Sequence, residues 1–140
     1  MSKRKVMSMG EGKILIVDDE QDIRDVLRLH LEQGGYHVLE AGDGEAAIEI
    51  MRKGANMINV GLILCDIRMP KINGIEAIDF FLRENRSIPI VAVTGYPDSD
   101  LAVSLIKKGV KDYLVKPVEK EKLLSKVRSI IGGEQEFQYA

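Results

Sequence analysis

The chain has one cysteine, almost no net charge and no apolar stretch of membrane length, and each shortage narrows what it does. A lone cysteine excludes an intramolecular disulfide, and the place of Cys65 inside Leu62-Ile63-Leu64-Cys65 predicts a buried, inert thiol. Twenty basic residues against 22 acidic ones, a formal charge of −2, leave no basic excess to hold nucleic acid or an anionic membrane. The polar, basic start from Met1 to Lys13 fits neither a signal peptide nor a membrane span. There is also no internal repeat, no low-complexity tract and no glycine-rich phosphate loop ahead of a helix. What remains is the composition of a soluble, cytoplasmic globular protein, 45% hydrophobic and 30% charged, whose 140 residues suit one domain with a substantial core.

Within that chain, short apolar runs recur at Lys13 to Val17, His37 to Ala41, Gly61 to Cys65, Ile88 to Val93 and Asp112 to Val115, and these read as five strands. Between and after them the apolar spacing is helical: Ile23, Val26, Leu27 and Leu31; Ala46, Ala47, Ile50 and Met51; Ile75, Ile78 and Leu82; Ala102, Leu105 and Ile106; Leu123, Val127, Ile130 and Ile131. The punctuation agrees. Gly34-Gly35 ends the first helix, Asp43 caps the second, Asn73-Gly74 opens the third and Gly132-Gly133 closes the fifth. Runs apolar on both faces, alternating with helices, predict an α/β fold with a doubly wound, five-stranded parallel sheet. One domain is expected over 12–132, with flexible segments at 1–11 and 133–140.

In open parallel sheets function gathers beyond the carboxyl ends of the strands. There this sequence places Asp18-Asp19-Glu20 after the first strand, Asp66 after the third, Thr94 after the fourth and Lys116-Pro117 after the fifth. Singly, each is ordinary: an acidic pair caps helices, a threonine makes turns, and Lys-Pro ends a strand. Together they put carboxylates close enough to repel unless a cation compensates. A hard divalent ion, Mg²⁺, prefers such carboxylates with water and phosphate oxygens. A carboxylate is also a nucleophile toward phosphorus, with a metal and an ammonium to neutralise the transferred group. His30 and His37 lie away from this constellation and carry no metal or phosphotransfer role.

The motif set resembles response-regulator receiver domains of two-component systems over roughly Lys13 to Ile131. The resemblance rests on Ile14-Leu15-Ile16-Val17-Asp18-Asp19-Glu20, Asp66-Ile67-Arg68-Met69-Pro70 with Asn73-Gly74, Thr94-Gly95, and Tyr113-Leu114-Val115-Lys116-Pro117. It implies a (βα)5 flavodoxin-like fold with strand order 2-1-3-4-5 and Asp66 as phosphoacceptor. Asp18, Asp19, Asp66 and the backbone carbonyl of Arg68 would hold Mg²⁺. Thr94 and Lys116 would meet phosphoryl oxygens, and a cis peptide would precede Pro117. Thr94 and Tyr113 would form the switch that remodels the surface from about Asp98 to Ile131, and the side chains of Arg68 and Tyr96 would tune phosphate lifetime.

The implied partners are a sensor histidine kinase or a histidine phosphotransfer protein upstream, and a protein partner or a fused output domain downstream. A phosphorylation-dependent dimer is open, and direct nucleic-acid binding is not expected. Two other readings compete. A metal-dependent phosphatase with an aspartyl nucleophile is disfavoured because Arg68, not a second acid, stands two residues after Asp66. A phosphorylation-independent binding module of the same fold would be expected to show a damaged acidic site, whereas here it is intact.

Overall fold

The computed structural model describes residues 13–67, 74–84, 87–95 and 99–131. The segments expected to be flexible, Gly132-Gly133, and the positions of Arg68, Asn73 and Tyr96 lie outside the described residues.

Five strands form one parallel sheet: β1 (Lys13–Val17), β2 (His37–Ala41), β3 (Val60–Asp66), β4 (Ile90–Thr94) and β5 (Asp112–Val115), ordered β2-β1-β3-β4-β5. The helices are α1 (Gln21–Gln33), α2 (Gly44–Met51), α3 (Gly74–Glu84), α4 (Ser99–Lys108) and α5 (Lys120–Ile130), with a single helical turn, Asn56–Asn59, ahead of β3. This is the doubly wound flavodoxin-like fold that the sequence predicts.

Alternation along the central strands builds two cores. Ile14, Ile16, Leu62, Leu64, Val91 and Val93 join Leu27 and Leu31 of α1 and Leu123 and Val127 of α5. Leu15, Val17, Ile63, Cys65, Ile90 and Ala92 join Ala47 and Met51 of α2, Ala77, Ile78 and Phe81 of α3, and Leu105 of α4. A register shift beside Lys13 and Ile14 leaves Gly61 as an extra residue, so Val60 and Leu62 enter opposite cores although they are two apart.

Caps fall where the sequence puts them: the Ala46 N–H donates to Asp43 Oδ1 at 2.8 Å, and Gly35 adopts φ 94° just after α1. Both ends of β3 and of β4 shift by one or two residues. β4 begins at Ile90 rather than Ile88 because Pro89 has no N–H to give the ladder, although its carbonyl still accepts from Ile63. β3 runs on to Asp66, so the acidic residue ends the strand itself. Val26 and Ile106, read as members of the apolar stripes, are 48% and 43% exposed. Each sits one residue, about 100° of helix, from a fully covered leucine and so turns outward.

Candidate functional site

The strand order reverses between β1 and β3, which opens the crevice at the carboxyl end of the sheet where such folds bind ligands. β1 delivers Asp18 into it. Asp18 is 1% exposed and tied on several sides: its N–H donates to Ala41 O at 3.1 Å, and its Oδ1 accepts the Glu20 N–H at 2.9 Å. Glu20 is the cap residue just before α1, so it and the exposed Asp19 stand where the helix dipole favours negative charge. Carboxylate oxygens of Asp18, Asp19 and Glu20 all lie within 4.8 Å of one another.

Asp66 ends β3 and Thr94 ends β4, and both are buried. Lys116 follows β5; its N–H donates to Thr94 O at 2.8 Å, and the Lys116–Pro117 bond is cis. The Lys116 ammonium ties the strands together, with Nζ 2.9 Å from Asp18 Oδ2, 3.3 Å from Asp66 Oδ2 and 3.5 Å from Glu20 Oε1. Burial works to lower its pKa, but the attraction of Asp18 and Asp66 outweighs burial and holds it above the ordinary lysine value. The cation demanded by closely spaced carboxylates is therefore supplied in part by the chain.

The arrangement brings together Asp18, Asp19, Asp66, Thr94 and Lys116, all singled out in the sequence. It adds Glu20, which the sequence offers as the third acid of its run but to which no role was given. Gly74 also means more than a helix start. A Cβ there would fall 2.0 Å from Asp66 O and 2.3 Å from Ile67 Cα, so the first residue of α3 abuts the backbone of Asp66, and only glycine fits. Cys65 is 0% exposed, and burial, followed by the charges of Asp66 and Asp18, pushes its thiol far up, as an inert core residue requires. Tyr113, on edge strand β5, is 40% exposed, and a narrow gap behind Thr94 is lined by Ile67, Ala92, Leu101, Leu105 and Tyr113 itself. No described helix is long and apolar enough to cross a membrane.

Known proteins share both sequence and architecture with this chain. A family profile described as the response regulator receiver domain matches residues 14–128. The CAI-1 autoinducer sensor kinase/phosphatase CqsS of Vibrio cholerae is 38% identical over 86% of this chain and 17% of its own length. The transcriptional regulatory protein ResD of Bacillus subtilis is 36% identical over 93% of this chain and 52% of its own length. The chain thus spans about half or less of these curated relatives. Among solved structures, a response regulator receiver domain protein from Clostridium thermocellum superposes with a TM-score of 0.81 at 27% identity, covering 90% of this chain and 98% of that one. Chemotaxis protein CheY4 of Vibrio cholerae gives 0.78 at 27% identity, covering 85% and 98%. With the profile spanning most of its length, the chain belongs to the family of receiver domains of two-component response regulators.

Proposed function

We propose that Asp66 accepts a phosphoryl group and that the resulting change at Thr94 and Tyr113 is read by a protein partner. The observation that carries this is the Lys116 ammonium, held 3.3 Å from the Asp66 carboxylate and 2.9 Å from Asp18. An Asp66 oxygen attacks phosphorus, the bond from phosphorus to the donor's leaving group breaks as the new one forms, and the product is an aspartyl phosphate. Lys116 pairs with one phosphoryl oxygen and the Thr94 hydroxyl donates to another.

The acidic group fits Mg²⁺. Its donors are all hard carboxylate oxygens, and exposed Asp19 and Glu20 beside buried Asp18 leave room for the waters that this ion retains. Asp18 and Asp19 would hold it with Asp66 and the Arg68 carbonyl, and Glu20 stands close enough to take part. When bound, Mg²⁺ neutralises phosphoryl charge and orients the donor.

As Thr94 moves toward the phosphoryl group, Tyr113 turning inward fills the gap behind it. The exposed surface of α4, β5 and α5 then changes shape for a partner, a fused output domain or a second copy. Arg68 and Tyr96, outside the described residues, complete the proposal as the side chains that set phosphate lifetime. A sensor histidine kinase or a histidine phosphotransfer protein supplies the phosphoryl group to this domain in the cytoplasm.

Intact-mass spectrometry after incubation with acetyl phosphate tests this. One phosphoryl adduct is expected with Mg²⁺, none without it, and none in Asp66→Asn. The same adduct on Asp66→Asn would overturn the assignment, and no adduct on the unsubstituted chain would favour a phosphorylation-independent binding module.

A further inference from the structure

The acidic run Asp18-Asp19-Glu20 sits on a connection between β1 and α1, and something must keep that connection from yielding to the repulsion among its carboxylates. Arg24, one turn into α1, is placed to do so. Its side chain is only 13% exposed, and its guanidinium is used in three directions. Nη1 donates to the backbone carbonyl of Asp18, Nε donates to Glu40 Oε1 on β2 at 2.9 Å, and Nη2 donates to Gln21 Oε1 at 2.7 Å. Glu40 is itself fixed, because its other oxygen accepts from Arg28 Nε while Arg28 Nη1 pairs with Glu32 at 2.9 Å.

We infer that Arg24, anchored by Glu40, is the positioning residue that sets the metal-binding geometry of the acidic run; this rests on the proposed Mg²⁺-dependent function. Arg24 completes the set of contacts that fix Asp18. With the Asp18 N–H on Ala41, Oδ1 on the Glu20 N–H and Oδ2 beside Lys116, the Asp18 carbonyl is the remaining point at which the residue could pivot. Arg24 holds that point and transmits it to edge strand β2. A planar fork whose donors diverge in fixed directions reaches a carbonyl, a carboxylate and an amide through three separate nitrogens, whereas the ammonium of lysine is a single point charge that serves only acceptors converging on one place. Arg24 touches none of the reacting atoms and acts through Asp18.

The test is isothermal titration of Mg²⁺ into the whole chain, unsubstituted and as Arg24→Ala, Arg24→Lys and Glu40→Gln, with thermal unfolding of each in the absence of metal. Outer partners of metal ligands set affinity by about tenfold or more. Arg24→Ala should therefore raise the Mg²⁺ Kd by about that factor, with the two conservative variants in between. The Mg²⁺ concentration for half-maximal phosphorylation by acetyl phosphate should rise in step, and the rate should recover at saturating Mg²⁺. An unaltered Kd beside a lowered Tm would overturn the inference, since a merely structural arginine moves only stability. Should Arg24→Ala fail to fold, Arg24→Lys decides by the same criterion. No Mg²⁺ binding by the unsubstituted chain would overturn the proposed function and this inference together, whereas an intact Kd in the variants overturns the inference alone.

Discussion

The two edges of the sheet are built on different chemistry. At the β2 edge, Glu40 is the one acid in His37-Val38-Leu39-Glu40-Ala41, and both of its oxygens are taken by Arg24 and Arg28 from α1. At the β5 edge, Tyr113 and Val115 are each 40% exposed, and Val103 and Ile106 of the neighbouring α4 are 53% and 43% exposed. The first edge is closed by ion pairs that reach to the acidic site; the second presents apolar side chains to solvent. An edge beside a loop of closely spaced carboxylates gains from cross-linking, whereas exposed apolar area is what a docking surface offers. The difference suits the proposed switch, in which one side of the site would be held and the other would report.

Substituting Gly74 should erase that distinction, because this residue abuts the middle strand common to both sides. A Cβ 2.0 Å from a backbone oxygen has no flexible neighbour to displace, so Gly74→Ala should cost about 3 kcal/mol in urea unfolding and sharply reduce phosphoryl uptake. Near-normal stability with normal uptake would show that α3 can shift as a body without disturbing Asp66.

A smaller effect should separate the edges. Glu40→Gln keeps one acceptor but removes the charge shared by two arginines, one of them largely buried, and should cost about 1–2 kcal/mol by urea midpoint. A loss of a few tenths would mean that the β2 network is no more than surface charge and the contrast is one of appearance.

The smallest effect belongs to the β5 edge, where Lys126 Nζ lies 2.6 Å from Asp112 Oδ2. Burial alone would raise the Asp112 pKa, but Lys126 and the Tyr113 N–H outweigh it and hold the carboxyl below its ordinary value. Asp112 therefore contributes stability in full above about pH 4 and loses it as pH falls through the depressed native value. With side chains 38% and 30% exposed, solvent screens the pair, and Asp112→Asn should cost only a few tenths of a kcal/mol at neutral pH. That small gap should close in acid when Tm is followed against pH; a gap that widened instead would reverse the sign of the shift.

Much of this was legible before any coordinates. Strand periodicity, the Asp43 cap and the Gly34-Gly35 stop are local, and local sterics and hydrogen bonding are written residue by residue. The site residues were legible for another reason. A parallel sheet sends each strand's end to the same side, so Asp18, Asp66, Thr94 and Lys116 converge once the order of elements is known. The brace was not. Arg24 and Glu40 are 16 residues apart on different elements, and the only trace in the sequence was a charge inside an otherwise apolar strand. Nor could helical spacing tell covered Leu27 from outward Val26, since that depends on which neighbour lies over α1.

The sequence by itself determined the alternation of five strands with five helices (though not the helical turn Asn56–Asn59), the parallel doubly wound sheet and the identity of the acids, hydroxyl and amine at its carboxyl end, because these follow from short-range patterning and from a topology with few alternatives. Only the tertiary structure decided that Lys116 sits between Asp18 and Asp66, that Gly74 has no room for a side chain, and that one edge is tied to the acidic site by arginines while the other exposes apolar side chains beside a surface ion pair. Those facts depend on distances between atoms far apart in the chain, which packing sets and sequence spacing does not.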